Sequence, residues 1–323
     1  MKNILITGGA GYIGSHIAEL LVKKKINTFI LDNLSTGHKK LINKKAKFFK
    51  IDLNDHNQIN KILNKYNIDS IIHLAAKTNI TEAEKKPNIY FRNNITGTFN
   101  LINACKKTNV KNFLFSSTCA VYSNKIKHVK ESSATKPKGV YGLTKLRCEQ
   151  MIRKKIGSKH RKYAILRYFN VVGASPSKKI GQINKADQLF KNLSIAIKKK
   201  KPSFNVYGKD YNTRDGTCVR DFIHVCDLAE IHIKTLMKLD SSNKSIILNC
   251  GYGKGFSVLE IINEFKKLTK RRVRINFKER RKGDVIEIVA NVKRLRKFLK
   301  WRPKFFSLKK MVKSSIDWEK KLN

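Results

Sequence analysis

The sequence predicts an α/β protein, with a doubly wound parallel sheet of the Rossmann type and a second, smaller α/β domain. Short apolar runs alternate with amphipathic segments of helical length through the first half of the 323-residue chain. This is the order of elements in a parallel sheet with helices on both faces. The alternation loosens after about Asn170, where polar loops become common. We therefore expect one domain over residues 1–170 and another over residues 171–323, with an approximate boundary that the chain could cross again.

The individual elements follow from hydrophobic periodicity. Six short apolar runs are predicted as buried strands: residues 3–7, 28–31, 47–51, 70–74, 112–116 and 163–168. Four segments between them carry apolar residues at the 3.6-residue period of a helix: residues 14–24, 57–66, 93–108 and 141–156. The carboxyl ends of parallel strands lie at one edge of the sheet, and α/β proteins bind their ligands there.

The composition is strongly basic, with 70 Lys and Arg against 23 Asp and Glu and a net charge of +47. This excess is spread along the chain rather than gathered in one patch. Such a distribution favours a solvated lysine-rich surface over a dedicated nucleic-acid surface. Hydrophobic residues make up 41% of the chain, which is too many for a protein that is disordered throughout.

The six cysteines form no group with the spacing of metal ligands, and the sequence predicts no metal site. Reduced thiols in a cytoplasmic protein are the expected state. No apolar run reaches the ~18 residues that indicate a membrane span. We therefore expect a soluble protein without a membrane partner.

A glycine-rich turn follows the first predicted strand and precedes a helix, at residues 7–14. This is the context of a dinucleotide-binding fingerprint. Gly8 permits the tight turn, Gly11 lets the backbone approach a pyrophosphate, and Gly14 lets the helix pack close to the strand. The helix N-terminus then offers N–H donors and a positive dipole to the phosphates.

Asp32 ends the second predicted strand, at the distance from the glycines that the fingerprint requires. A carboxylate there accepts hydrogen bonds from both ribose hydroxyls and repels a 2′-phosphate, so the sequence favours NAD over NADP. Asp52, after the third strand, is expected near the adenine amino group. The fourth strand ends with residues that are expected beside the dinucleotide: Leu74, Ala75 and Ala76.

A tyrosine and a lysine four residues apart, Tyr141 and Lys145, open the last helix of the first half. Residues at this spacing share one helical face. A phenol with an ordinary pKa of ~10 needs about three units of depression to act as a base near neutrality. Lys145 and a positive nicotinamide ring can each favour the phenolate. Thr118, at the carboxyl end of its strand, can hydrogen-bond the same substrate oxygen.

Together these motifs identify the chain as similar to the extended short-chain dehydrogenase/reductase superfamily, and within it the chain resembles the UDP-glucose 4-epimerases. The resemblance covers nearly the full length. It is carried by the segments 7–14, 32–37, 93–98, 167–170, 215–225 and 280–284. The last two segments, with Asp-Gly-Thr followed by Arg-Asp and with Arg-Arg-x-Gly-Asp, are specific to enzymes of nucleotide sugars.

The resemblance implies interconversion of UDP-glucose and UDP-galactose, with an NAD-binding domain followed by a nucleotide-sugar-binding domain. Tyr141 would remove the proton of the sugar 4-hydroxyl while hydride passes to NAD, which gives a 4-keto intermediate that turns over in the pocket. It also implies further cofactor contacts, by Tyr12, Ile13, Asn33, Leu53, Asn93 and Phe169. Implied substrate contacts are Asn170, the diphosphate-binding Arg220 and Arg281, and Asp284 beside the ribose or an arginine. A homodimer through two helices of the cofactor domain is also implied.

Three alternatives stay open on these residues. Dehydratases of this fold carry Asp-Glu after the strand-end Thr, so Cys119 and Ala120 make dehydration the weaker hypothesis. Epimerases of UDP-N-acetylglucosamine or UDP-glucuronate fit the same motifs. By family comparison a position that gates the sugar pocket falls on Ile288, smaller than the usual Tyr, which predicts tolerance of N-acetyl sugars. A non-catalytic protein that senses NAD or binds nucleic acid is disfavoured, because Thr118, Tyr141 and Lys145 are all retained.

Overall fold

The structure is a computed structural model, and it describes residues 2–123, 126–157, 160–184, 188–242, 244–281 and 283–322. Its strands β1–β14 span, in chain order, Asn3–Thr7, Asn27–Leu31, Lys47–Phe49, Ser70–His73, Asn112–Thr118, His128–Val129, Lys162–Tyr168, Asn170–Val172, Ser203–Tyr207, Val219–His224, Ile246–Cys250, Gly255–Ser257, Arg274–Lys278 and Glu287–Ala290. Its helices α1–α11 span Tyr12–Lys23, His56–Lys65, Ile80–Lys85, Pro87–Tyr90, Gly97–Lys106, Val140–Lys155, Leu189–Lys198, Val225–Asp240, Val258–Thr269, Lys293–Leu299 and Leu308–Lys321.

Seven parallel strands form the large sheet, in the order β11-β7-β5-β4-β1-β2-β3. The chain runs outward from β1 to β3, then returns and continues from β4 in the opposite direction. This reversal opens a crevice between the carboxyl ends of β1 and β4, where dinucleotides bind in this fold. The parallel α/β sheet predicted from the sequence is confirmed.

Helices cover both faces of this sheet, as its alternating side chains require. Ile4 and Ile6 of β1 belong to one apolar core, which also contains Ile17 of α1. Leu5 belongs to the opposite core, with Leu63 of α2. The sheet is therefore doubly wound, and the loops at its carboxyl edge are held by packing on both sides.

The six predicted strands are all present, with small differences at their ends. β3 ends at Phe49, two residues earlier than predicted, after its carbonyl accepts a hydrogen bond from the Asp32 N–H at 3.1 Å. β5 continues to Thr118 because Ser117 and Thr118 pair with β7. The predicted helix 93–108 begins as α5 only at Gly97, after a π-helical segment, Phe91–Thr96.

The second half of the chain builds two smaller sheets. One contains β12, β10, β14 and β6, with β8 also paired to β10, and the other pairs β13 with β9. The chain crosses between halves in both directions: β6 lies before residue 170 but joins the smaller sheet, and β11 lies after it but joins the large one. The division at residue 170 stays a prediction.

Candidate active site

The loop between β1 and α1 has the close backbone contacts that its glycines predict. Gly8 adopts a φ of +74°, and a Cβ there would lie 2.7 Å from the Ala75 nitrogen. A Cβ at Gly14 would lie 2.3 Å from the Gly8 carbonyl oxygen. Only glycine fits either position without moving backbone. Gly11 has more room, because a Cβ there meets only the Gly8 oxygen, at 3.2 Å.

The N-terminus of α1 faces this loop and has no side-chain cap. Gly11 is its N-cap residue, in an extended conformation, and the first turn contains no acidic residue. The N–H groups at the start of the helix, at Tyr12 and Ile13, are those that a helix leaves without internal partners. An uncapped helix start above a glycine cradle fits the pyrophosphate of NAD. The Tyr12 hydroxyl donates to the Gly173 carbonyl at 2.5 Å, which joins α1 to the second half of the chain.

Asp32, directly after β2, is 7% exposed. Its carboxylate accepts hydrogen bonds from the Ala10 N–H at 3.0 Å and the Leu34 N–H at 2.8 Å. Burial raises the pKa of Asp32, and these two hydrogen bonds oppose that rise. Each oxygen retains a lone pair for a ribose hydroxyl. Asp32 thus holds the glycine loop in place and fits the expected ribose contact.

Asn33 and Asp52 lie side by side at the ends of β2 and β3, with the Asn33 amide donating to the Asp52 carboxylate at 2.6 Å. The next residue, Leu53, packs against Gly97 at the start of α5. A Cβ added to Gly97 would lie 3.0 Å from the Leu53 Cβ. Asp52, which is expected near the adenine, therefore lies on the side of the crevice that β2 borders. Contact of these residues with a nucleotide stays a prediction.

The loop after β4 forms the opposite side of the crevice. The Leu74 N–H donates to the Thr7 carbonyl at 3.0 Å, and Ala75 contacts Gly8 closely. Ala76 follows, partly exposed like the two residues before it. The three predicted residues thus lie directly beside the glycine loop.

Asn94 is a positioning residue that the sequence argument missed, although it named the adjacent Asn93. Asn93 donates to the Asn94 side chain at 2.9 Å. Asn94 is 1% exposed and bonds both backbone groups of Lys77, accepting at 2.8 Å and donating at 3.1 Å. It also donates to the Thr144 hydroxyl in α6 at 3.1 Å. Asn94 therefore ties the loop after β4 to the helix that carries Tyr141 and Lys145.

Thr118 and Tyr141 are brought together at the carboxyl end of β5. The chain turns sharply after Thr118, whose hydroxyl accepts from the Ala120 N–H at 3.2 Å. α6 lies against this turn, since a Cβ at Gly142 would be 2.5 Å from the Ala120 carbonyl oxygen. This close approach brings the Tyr141 phenol near enough to Thr118 for the Thr118 side chain to act on its pKa. Gly142 is a second residue that the sequence argument left without a role.

The pKa of Tyr141 lies above its ordinary value, because burial disfavours the phenolate. The Thr118 side chain acts in the opposite direction, and the neighbouring Cys119 thiol adds to the rise. The polypeptide alone therefore keeps Tyr141 protonated. The lowered pKa expected from the sequence depends on a cation bound beside the phenol, as the oxidised nicotinamide ring would be.

Lys145 is 2% exposed, and its ammonium lies 4.7 Å from the centre of the Phe115 ring. Burial lowers the pKa of Lys145 to about 8, while Glu149, one turn further along α6, favours the charged form. Burial also lowers the pKa of His73 to about 3, with Lys145 contributing. Lys145 is therefore a cation at neutral pH beneath the carboxyl edge of β4 and β5, with a neutral His73 beside it.

Arg220, one of the two residues predicted to bind the diphosphate, lies near Cys119. Arg220 of β10 pairs with Asp284 at 3.5 Å, and the role expected of Asp284 stays a prediction. Burial raises the pKa of Cys119 to about 11, and Arg220 opposes this rise. Cys119 thus lies near both Tyr141 and Arg220. Asn170, the first residue of β8, is exposed.

Arg281 lies in an adjacent cluster of arginines and tyrosines. Its guanidinium is 3.9 Å from the centre of the Tyr207 ring, and that of Arg280 is 4.4 Å from the Tyr211 ring. Arg280 also pairs with Asp210 at 2.8 Å. Arg281 thus stacks on an aromatic ring, while its neighbour closes the loop before β10. Lys282, part of the motif that predicted this site, lies outside the described residues.

Phe169 is 4% exposed and Ile288 is 7% exposed, and both belong to one small apolar core with Tyr122. Phe169 follows β7 directly, and its N–H donates to the Cys250 carbonyl at 3.1 Å. Ile288 lies in β14 beside Arg220 of β10. The gate position and the predicted cofactor contact thus share one apolar wall.

Within the described residues, no group of three or more His, Cys, Asp or Glu side chains is placed to hold a metal ion. No helix in the same part of the chain is long and apolar enough to cross a membrane.

The chain is similar to known proteins over nearly its whole length. Residues 4–251 match the NAD dependent epimerase/dehydratase family. The UDP-glucose 4-epimerase of Azospirillum brasilense is 36% identical over 99% of this chain and 92% of its own length. A Stenotrophomonas maltophila UDP-glucose-4-epimerase, crystallised with NAD and formylated UDP-arabinopyranose, superposes with a TM-score of 0.95 at 33% identity, over 100% of this chain and 99% of that one.

A third relative is named for two different sugars. The UDP-Glc/GlcNAc 4-epimerase of Campylobacter jejuni has a TM-score of 0.87 and 37% identity, over 99% of this chain and 100% of that one. These matches extend through both halves of the chain. The chain belongs to the NAD dependent epimerase/dehydratase family.

Proposed function

We propose that this protein is an NAD-dependent 4-epimerase that interconverts UDP-glucose and UDP-galactose. The observation that carries the proposal is the group formed by Thr118, Tyr141 and, one turn along α6, the buried ammonium of Lys145. It lies at the carboxyl edge of β5, and the NAD cradle lies at the same edge of β1. The whole-length likeness to UDP-glucose 4-epimerases supports the choice of substrate.

Gly8, Gly11 and Gly14 with the start of α1 would hold the pyrophosphate of NAD, and Asp32 would hold a ribose. When bound, NAD accepts a hydride from the sugar carbon and returns it. The chain itself handles the proton. Tyr141, as phenolate, removes the proton of the 4-hydroxyl and later gives it back.

Thr118 hydrogen-bonds the same oxygen and so keeps it within reach of the phenol. The Lys145 ammonium favours the phenolate by its charge. Because burial and the neighbouring Cys119 raise the pKa of Tyr141, the base forms only when cations surround it. This arrangement makes proton removal conditional on a loaded site.

Arg220 and Arg281 would bind the diphosphate, for which a guanidinium fork is better suited than an ammonium. Asn170, exposed at the start of β8, would bond a diphosphate or sugar oxygen. Holding the diphosphate while the sugar turns over lets the same Tyr141 act on either face. The UDP-Glc/GlcNAc enzyme of Campylobacter jejuni and the aliphatic Ile288 together support acceptance of N-acetyl sugars.

We also propose a cytoplasmic homodimer through α5 and α6. Phe99 on α5 is 38% exposed, and Ile89 just before the π-helical segment is 45% exposed. The Lys155 ammonium of α6 lies 5.3 Å from the Phe99 ring centre. These apolar side chains lie on or near α5 and α6, which contact each other, and they fit a four-helix contact. The six free cysteines agree with a reducing compartment.

A coupled assay of the purified protein with UDP-galactose tests the activity. We expect turnover without added oxidant, since the hydride is returned in each cycle. UDP-N-acetylgalactosamine and UDP-glucuronate in parallel reactions decide the sugar range. No turnover of any of the three, from protein that binds NAD, contradicts the proposed function.

A further inference from the structure

Three residues of α6, Tyr141, Lys145 and Glu149, follow one another at intervals of four and therefore lie on one stripe of the helix. Tyr141 and Lys145 have roles in the proposed reaction. Glu149 is 1% exposed, and a buried carboxylate is costly unless charged and polar partners surround it. The position of these partners indicates what Glu149 does.

Two neighbouring strands supply the partners of Glu149. Arg167 of β7 grips the carboxylate with a fork, Nε to Oε1 at 3.0 Å and Nη2 to Oε2 at 2.6 Å. The Ser117 hydroxyl donates to Oε1. Ser117 and Arg167 are direct partners across the β5–β7 pair. One carboxylate thus fixes α6 to both strands, immediately next to Thr118.

The Arg167 side chain continues this network away from α6. Its Nη1 donates to the Tyr122 hydroxyl at 3.0 Å and to the Glu131 carbonyl at 3.1 Å. The Tyr122 hydroxyl donates in turn to Asn249 of β11 at 2.6 Å. Arg167 is therefore held by several hydrogen bonds, so its guanidinium keeps the Glu149 carboxylate in one position.

We propose that Glu149 is a positioning residue for the epimerase reaction, which holds Tyr141 against Thr118 and keeps Lys145 charged. This inference rests on the proposed function. The positioning of Tyr141 follows from the contacts of Glu149 with Ser117 and Arg167, which fix where α6 lies relative to β5. The electrostatic effect on Lys145 follows from the position of a carboxylate one turn from its ammonium.

The charged and titratable groups around Lys145 define the sign of this electrostatic effect. Cys148 and Glu149 on α6 favour its charged form, while burial opposes it. His73 on β4 is neutral, because its pKa is lowered to about 3. The pKa of Lys145 is about 8, so the ammonium is lost as the pH rises through that value. Removing the negative charge of Glu149 lowers this pKa further and moves the loss to lower pH.

The test compares E149Q with E149D and with E319Q. Glu319 pairs with Lys191 at 2.6 Å in another buried ion pair, far along the chain in α11, and so controls for the loss of a buried carboxylate. Activity with UDP-galactose is measured from pH 6 to pH 10, and NAD affinity by calorimetry without sugar nucleotide. For E149Q we expect at least a tenfold loss of kcat and a shift of the alkaline limb of about one pH unit to lower pH. NAD affinity should also begin to weaken at this lower pH, because the Lys145 ammonium is lost there.

E149D keeps the charge but is one methylene shorter, so kcat should fall while the alkaline limb stays in place. E319Q should lower the melting temperature and move neither limb. If E149Q does not fold, E149Q/R167M, which removes the unpaired guanidinium, carries the same expectations. An alkaline limb and kcat in E149Q equal to those of an active wild-type enzyme overturn the inference. An inactive wild-type enzyme contradicts the proposed function instead.

Discussion

Gly14 in the first turn of α1 gives a sharp test of the glycine cradle. A Cβ at this position would lie 2.3 Å from the Gly8 carbonyl oxygen and 2.8 Å from the Gly9 Cα. Non-bonded heavy atoms are comfortable at ~3.5–4.0 Å, so α1 must move away by about 1 Å. No side chain can rotate to relieve the contact, because both atoms belong to the backbone.

Overpacking of this kind costs ~1–3 kcal/mol, and we expect G14A at the upper end of that range. For a chain of this size the melting temperature should fall by about 4–6 °C. The N–H groups at the start of α1 move with the helix, and a misplacement of about 1 Å can cost ~100-fold in the interaction they serve. Scanning fluorimetry without NAD and calorimetric titration with NAD measure the two effects.

Gly11 provides the matched control. Its φ of −84° suits any residue, and a Cβ meets only the Gly8 oxygen, at 3.2 Å. G11A should therefore cost less than about 1 kcal/mol in stability, yet bind NAD at least ten times more weakly, because its methyl group lies where the pyrophosphate approaches. A G14A protein that melts within 1 °C of the parent and binds NAD equally well refutes the reasoning.

Three other predictions concern catalysis, substrate binding and acid stability. Y141F should reduce turnover by ~10²–10⁴-fold with calorimetric NAD affinity unchanged, and a near-normal rate would show that another group is the base. R281A should raise the KM for UDP-galactose at least tenfold, as expected for the loss of a charge-assisted hydrogen bond of ~1.5–3 kcal/mol, whereas R280A should change it much less; equal effects contradict the assignment. Burial lowers the pKa of His73 and of His224 to about 3, against ~6.5 in the unfolded chain. The unfolded state therefore binds protons first, and the free energy of unfolding should fall as the pH drops below about 6.5; urea midpoints that stay constant from pH 7 to pH 5 would contradict this.

The first half of the fold could be predicted because its strands are continuous apolar runs and its glycine turn has a fixed position between strand and helix. Gly8, Gly14 and Asp32 have local reasons for their places, and these reasons survive in the structure. Asn94 and Glu149 have no such local reason for their places. Their partners Thr144 and Arg167 are distant along the chain, and only the assembled sheet shows which polar side chains turn inward.

The pKa of Tyr141 shows a different limit. The spacing to Lys145 predicts a lowered value, whereas burial raises it. Burial depth depends on the turn at Cys119 and Ala120 and on its approach to Gly142, a contact that no local pattern displays. In the five-stranded sheet, β6 and β8 span two and three residues, which is too short for a period-2 signal.

The position of β11 has a consequence for biosynthesis. Translation completes β7 at Tyr168, but its outer neighbour in the large sheet begins only at Ile246. Until Cys250 has left the ribosome, the nascent polypeptide presents an open row of N–H and C=O groups along β7, which is a template for unwanted pairing. A fragment that ends at residue 170 lacks β11, so this edge of β7 stays unpaired. Such a fragment should self-associate rather than stay monomeric.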